Sequence, residues 1–279
     1  MPYPDFEQLS MEFLGETRTV FKAGSGPAVI VIHEVPGLYP EVAEFGRKVV
    51  AQGFTVYMPS LLGTPGKKMS VPYAVSSIAR ACVMKEFTVW AKGENSSITL
   101  WLRALAEHAY KECGGAGVGA IGMCLTGGFA LAMAVDPWVK APVLSQPSLP
   151  FAVLPSQKRD LGIDKATLGT VQDRMKKEGL CVMGLRFTKD RAVPDERFAA
   201  LREELGENFL AIEIDSSKGN AHNISRKAHS VLTNDLVPTE GHPTQEALNE
   251  VMQFFRTRLS GNTSPTNTSP TNTSPTKAS

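Results

Sequence analysis

Short runs of consecutive apolar residues alternate along this chain with longer stretches in which apolar positions recur every three or four residues. The first pattern predicts a buried strand, the second a helix packed on one face. Ala28-Val-Ile-Val-Ile-His33 follows the turn Gly24-Ser-Gly-Pro27 and reads as a buried parallel strand. Residues 41–52 carry Val42, Phe45, Val49 and Val50 at helical spacing and end at Gly53. Phe54-Thr-Val-Tyr-Met58 is the next strand, stopped by Pro59. A strand, a helix and a strand in that order imply a parallel sheet with crossover helices.

The alternation continues. A helix is expected over 97–110, with Ile98, Leu102, Leu105 and Ala109 in register. A small-residue strand follows at 117–121 and a helix at 129–135. Further strands are expected at 180–187 and 209–214, with a charged-faced helix at 195–205 between them. An amphipathic helix over 243–259 closes the fold, turning Ala247, Val251, Phe254 and Phe255 inward. The segments 11–14 and 17–22 suit an opening hairpin. Residues 147–177 read as a long loop or cap with one helix at 166–177, a kind of insertion that often covers an active site. The expectation is an α/β fold, a mostly parallel sheet flanked by helices.

The end of the chain has no such pattern. From Asn262 the unit Asn-Thr-Ser-Pro-Thr occurs three times without an apolar residue. Such a segment cannot repay the entropy of ordering. We therefore expect one domain over 1–260 and a disordered low-complexity tail over 261–279. Asn-Thr-Ser is formally a glycosylation acceptor, but residues 1–10 lack a basic-then-apolar secretory signal.

Charge narrows the function classes. Lys plus Arg number 29 and Asp plus Glu 28, which gives no electrostatic reason to expect nucleic acid or an anionic membrane as partner. The four cysteines form no CxxC pair and no histidine stands at ligand spacing. No metal site is expected, and reduced thiols suit a cytoplasmic protein. Residues 116–135 contain no charge, and a hydropathy window alone would read them as membrane-spanning. Their glycines split them more naturally into a strand, a turn and a short helix.

The candidate chemistry lies in that turn, Gly122-Met-Cys124-Leu-Thr-Gly-Gly128. A strand-to-helix elbow of the form Gly-x-nucleophile-x-Gly presents its nucleophile at a helix N-terminus, where the dipole and free amides favour negative charge. Here Thr126 stands at the second glycine position and Gly127 comes one later. In this fold the nucleophile is followed along the chain by an acid and then a histidine. Asp190 lies just beyond the strand at 180–187, and His229 in the loop before the last helix. Asp190 would orient the imidazole, and His229 would exchange a proton with Cys124. His222 is the rival base in the same loop. Glu34 follows the strand 28–33, in the loop that supplies an oxyanion amide in such folds. The backbone N–H groups of Val35 and Leu125 are the candidate oxyanion donors. Each residue also has a plainer reading. Cys124 could be inert beside a packing turn, Asp190 a helix cap or a surface ion pair, and Glu34 a loop acid satisfied by backbone amides.

Taken together, His33-Glu34-x-x-Gly37, the Gly-x-Cys-Leu-x-Gly elbow, Asp190-x-x-Val-Pro194 and His229-Ser230 resemble the dienelactone hydrolase family over about residues 10–259. The resemblance implies an eight-stranded α/β-hydrolase fold and a Cys124–His229–Asp190 triad. It implies that Glu34 pairs with the thiol at rest and takes its proton when substrate displaces it, and that water clears the acyl-enzyme. One departure bears on substrate. Family members that cleave dienelactone carry an arginine shortly after the histidine, whereas this chain reads His229-Ser-Val-Leu-Thr233. Arg226 or Arg80 could take that place. The expectation is a cofactor-free hydrolase of a small ester or lactone. The alternative is a non-catalytic ligand-binding or thiol-sensing protein on the same fold, and the two differ in whether Glu34, Asp190 and His229 converge on Cys124.

Overall fold

The computed structural model describes residues 1–83, 96–149 and 155–260. The side chains of Ile78, of residues 80–83 and of residues 155–156 are not among those described, so Arg80 lies outside the comparison, as does the tail from residue 261.

An eight-stranded sheet runs through the molecule in the order β1-β2-β4-β3-β5-β6-β7-β8. The opening hairpin is β1 (Glu7–Phe13) and β2 (Glu16–Ala23), antiparallel, and β2 joins β4 (Thr55–Pro59) antiparallel. All other pairings are parallel. They link β4, β3 (Ala28–Ile32), β5 (Val118–Met123), β6 (Val139–Ser145), β7 (Val182–Phe187) and β8 (Phe209–Ile214).

The period-two pleat explains why the central strands are apolar throughout. In β3, Val29 and Val31 enter the cluster beneath α1 (Pro40–Val50) and α8 (Pro243–Leu259). Ala28, Ile30 and Ile32 enter the opposite cluster, beneath α3 (Ser97–Cys113) and α4 (Gly127–Met133). A third cluster lies under α6 (Lys165–Glu178) and α7 (Asp195–Leu205), built on Val171, Phe198 and Leu201. Helix α8 shows how much a single face contributes. Phe255 and Leu259 are wholly buried against the sheet, and truncating a buried phenylalanine to alanine costs about 3–5 kcal/mol.

Helix ends follow local chemistry. Ser96 caps α3 by accepting a hydrogen bond from the Thr99 N–H, and Asp164 caps α6 through the Thr167 N–H. The uncharged stretch 116–135 is β5, a 3-10 turn at Cys124–Thr126 and α4. Among the described residues, no helix is long and apolar enough to cross a membrane.

The structure adds elements that the pattern did not predict. Strand β6 contains Lys140 and Pro142, which interrupt an apolar run. Pro142 lacks an N–H, and pairing with β7 begins only after it, at Val143. Helix α2 spans Val71–Val83, and a short helix α5 spans Pro155–Arg159 within the stretch expected to be a cap.

Candidate active site

The C-terminal ends of the parallel strands converge on one edge of the sheet, where open α/β sheets place their ligands. The turn after β5 carries Cys124 at φ +56°, a left-handed conformation that a residue with a Cβ adopts only when its surroundings impose it. Two neighbours impose it. A Cβ on Gly122 would sit 2.1 Å from the Thr126 carbonyl oxygen, so the chain can double back only with glycine there. Thr126, wholly buried, lies at the centre of the turn. Its hydroxyl accepts from the Met123 N–H at 2.8 Å and lies 3.1 and 3.2 Å from the carbonyl oxygens of Ile32 and His33. The residue at the second glycine position therefore ties the elbow to the end of β3. Gly127 meets a different need, since a Cβ there would lie 2.7 Å from the Pro147 ring.

Asp190 and His229 come together on this edge. The His229 Nδ1–H donates to the Asp190 carboxylate at 2.6 Å, and Asp190 is nearly buried. Asp190 also accepts from the Ala192 N–H at 2.9 Å, which fixes its loop after β7. The loop carrying His229 is pinned by Asp235, whose carboxylate accepts from the His229 and Ser230 backbone N–H groups at 2.8 and 2.9 Å. Burial disfavours charge on His229, but the adjacent Cys124 sulfur, to which the ring is hydrogen-bonded, and Asp190 outweigh it and hold its pKa well above the ordinary histidine value. His222, the rival base, lies elsewhere. Its ring packs edge-on against His242 at 5.4 Å, on an exposed part of the loop.

Glu34 does not pair with the thiol. Its carboxylate is buried, and one oxygen accepts from the Tyr39 hydroxyl at 2.5 Å and from the Thr233 hydroxyl. The other accepts from the Ser230 hydroxyl at 2.7 Å and from the Gln146 amide at 3.2 Å. A buried carboxylate without such partners would be costly. Four side-chain donors satisfy it, in place of the thiol expected at rest or of backbone amides. The group bonded to the Cys124 sulfur besides His229 is Ser148, whose hydroxyl lies 3.1 Å away.

A cavity of about 370 Å³ opens above these groups. Its polar wall contains Cys124, Ser148, His229, Ser230 and Glu34, and its apolar wall includes Val35, Met69, Leu125 and Leu149. The two residues expected to offer oxyanion amides thus both line it. Among the described residues no lysine or arginine does. Arg226 is exposed and not part of the lining. Also among the described residues, no group of three or more potential metal ligands occurs.

Several of these residues were not legible as site residues. Gln146 and Ser148 follow β6, and without that strand their segment reads as a plain loop. Tyr39, Thr233 and Asp235 are common residue types with no motif. The usable signal was the run Gln146-Pro-Ser-Leu-Pro150, a turn signature that would follow a parallel strand had β6 been recognised.

A mostly parallel eight-stranded sheet with a cysteine elbow after β5 and an acid–histidine pair from the later loops defines an α/β-hydrolase. More particularly, the chain belongs to the dienelactone hydrolase family, whose model matches residues 16–259. It is a hydrolase of the dienelactone hydrolase kind. Among solved structures it is similar to a candidate dienelactone hydrolase from Klebsiella pneumoniae subsp. pneumoniae, with a TM-score of 0.59 and 19% identity over 90% of this chain and 97% of that one. It is also similar to a cold-adapted esterase from an Arctic intertidal metagenomic library, with a TM-score of 0.58 and 14% identity over 91% and 94% of the two chains. A dienelactone hydrolase-like promiscuous phosphotriesterase from metagenomic libraries shares a TM-score of 0.56 and 17% identity over 89% and 98%. At these identities the likeness is one of fold. No curated protein matches the sequence.

Proposed function

We propose that this chain hydrolyses small esters or lactones through an acyl-enzyme on Cys124. The observation that carries this reading is the His229 imidazole, bonded through Nδ1 to Asp190 and set against the Cys124 sulfur, with both His229 and Cys124 lining a cavity. With Nδ1 engaged by Asp190, the other ring nitrogen is the one free to serve the sulfur. From that position the imidazole can take the Cys124 proton and leave a thiolate–imidazolium pair, the activated form of a cysteine nucleophile.

The reaction runs in two halves. The Cys124 thiolate attacks the substrate carbonyl, and the backbone N–H groups of Val35 and Leu125 receive the negative oxygen. As the tetrahedral species collapses, the carbon–oxygen bond to the leaving group breaks and the His229 imidazolium gives its Nε2 proton to that oxygen. A thioester on Cys124 and a neutral imidazole remain. His229 then takes a proton from water as the oxygen attacks the thioester. Collapse releases the carboxylic acid and restores thiolate and imidazolium. Asp190 keeps the ring in the tautomer that both halves need. Glu34 acts at one remove, gripping Ser230 and Thr233 and so holding the His229 loop. Nucleophile, proton carrier and amide donors all come from the chain, and no cofactor enters the scheme.

The apolar wall suits an acyl group with little charge and modest size. The testing experiment is turnover of p-nitrophenyl acetate by the wild-type chain and by Cys124→Ala. The variant keeps the far-ultraviolet circular dichroism of the wild type and loses turnover. Undiminished turnover in the variant overturns the reading.

A further inference from the structure

We propose that Ser148 holds the Cys124 thiolate in place between turnovers, the part for which Glu34 would be expected. This rests on the reading of Cys124 as nucleophile given above, and it adds a residue that reading does not require. The Ser148 Oγ lies 3.1 Å from the Cys124 Sγ. A thiolate can only accept, so in the thiolate state the shared hydrogen belongs to the serine. Ser148 is buried, so bulk water competes little for its hydroxyl, and among the described residues the sulfur is its hydrogen-bond partner.

The hydroxyl is placed by backbone rather than by chance of rotamer. The Ser148 N–H donates to the Cys124 carbonyl at 3.0 Å, so the two residues are tied at main chain and side chain alike. Just before it, Gln146 sits at φ +37°, a second left-handed residue at this edge, and its N–H donates to the Leu185 carbonyl at 2.7 Å. Between them the Pro147 carbonyl accepts from Arg197 at 3.2 Å. Arg197 is 2% exposed and also donates to the carbonyls of Asp160 at 2.8 Å and Gln157 at 3.0 Å. This buried guanidinium clamps the segment after β6 to α7, and Pro147 closes on Gly127 at the start of α4. Glu34 is not available for the same task, because its oxygens are already occupied by Tyr39, Thr233, Ser230 and Gln146. A hydroxyl, by contrast, has a hydrogen to donate to a thiolate, and such a charge-assisted bond stabilises it.

The test uses the full chain and the variants Ser148→Ala and Ser148→Thr, with two readouts. The first is the rate of Cys124 alkylation by iodoacetamide against pH, followed by mass spectrometry of the Cys124 peptide. The second is kcat/KM for p-nitrophenyl acetate. Losing a charge-assisted hydrogen bond moves the alkylation midpoint of Ser148→Ala upward by about one pH unit, so that alkylation on the acid side slows roughly tenfold. Ser148→Thr, which keeps the hydroxyl, restores the wild-type midpoint. A Ser148→Ala midpoint equal to the wild type overturns the proposal, and so does a Thr midpoint displaced as far as that of Ala. If the Ala chain fails to fold, Ser148→Val, which has the shape of Thr without the hydroxyl, takes its place: its midpoint moves upward as that of Ala would, and a Val midpoint equal to the wild type overturns the proposal. The two readouts separate the failures. Cys124-dependent turnover with an unmoved Ser148→Ala midpoint removes the role of Ser148 alone. A shifted midpoint in a chain that turns over no ester keeps the Ser148 contact and removes the hydrolase reading.

Discussion

Two histidines stand at the same edge of the sheet and are treated in opposite ways. His33, at the end of β3, is wholly buried. Its Nδ1–H donates to the Glu34 carbonyl at 2.8 Å, and its Nε2 accepts from the N–H groups of Leu61 at 3.0 Å and Leu62 at 3.3 Å. Its surroundings supply two donors to one nitrogen, and burial pushes it down to about 4. His229 keeps about a quarter of its side chain exposed, at 26%, and faces Asp190 and Cys124. Burial works against its charge too, yet Cys124 and Asp190 raise it. Withdrawal from water alone therefore does not distinguish a structural histidine from a reactive one. What the ring faces decides. His33 is a neutral tie between the end of β3 and the segment after β4, whereas His229 faces the two groups with which the proposed mechanism has it work.

The comparison can be broken most forcefully at Asp190. Asp190→Asn leaves a hydrogen-bonding side chain but removes the anion and favours the wrong tautomer of His229. We expect kcat to fall by about 10³–10⁴-fold. Because the anion helps keep the imidazolium protonated, its loss lowers the His229 pKa, and the alkaline fall in kcat/KM begins at lower pH than in the wild type. Steady-state kinetics across pH checks both, and an unchanged alkaline limb would mean that Asp190 does not tune His229.

A smaller effect is expected at His33, and on stability rather than rate. Its pKa is 6.5 when unfolded and about 4 when folded. Between those values the unfolded chain binds a proton that the folded chain does not, so stability is fully present above about pH 6.5 and declines as the pH falls toward 4. The decline attributable to this one group is about 3 kcal/mol. His33→Asn removes that titration. It also weakens acceptance from Leu61 and Leu62, costing about 1–3 kcal/mol at neutral pH. Melting curves at pH 7 and pH 4.5 should show the variant less stable at pH 7 and with a shallower loss on acidification. Parallel losses in both chains would show that His33 is not the titrating group.

Most of the fold was legible because its strands and helices carry strong periods. Helices α7 and α8 and strand β8 lie where their apolar spacing puts them, over 195–205, 243–259 and 209–214. Strand β6 was not legible, because a lysine and a proline break its run, and the burial that makes it a strand comes from β5 and β7 on either side. That omission also hid Gln146 and Ser148. Cys124, Asp190 and His229 could be picked out as candidates from motif and chain order, since those follow from the topology itself. The surroundings of Glu34 could not. Four donors from three segments meet there, two of those segments distant, with Thr233 lying 199 residues along the chain from the acid it serves. Such meetings are set by how loops close over the sheet, which no local pattern encodes. The same limit explains why a glutamate expected to pair with the thiol is engaged by other donors instead.

The central claim is that the Cys124 sulfur carries the acyl group during turnover. The most direct test is to quench the protein rapidly while it turns over p-nitrophenyl acetate and map the peptides by mass spectrometry. The account predicts one acetyl group on the peptide containing Cys124, its occupancy increased in a variant whose deacylation is slowed and absent in Cys124→Ala. Steady turnover with no acyl adduct on Cys124 even in the slowed variant, or an adduct confined to another residue, would contradict it.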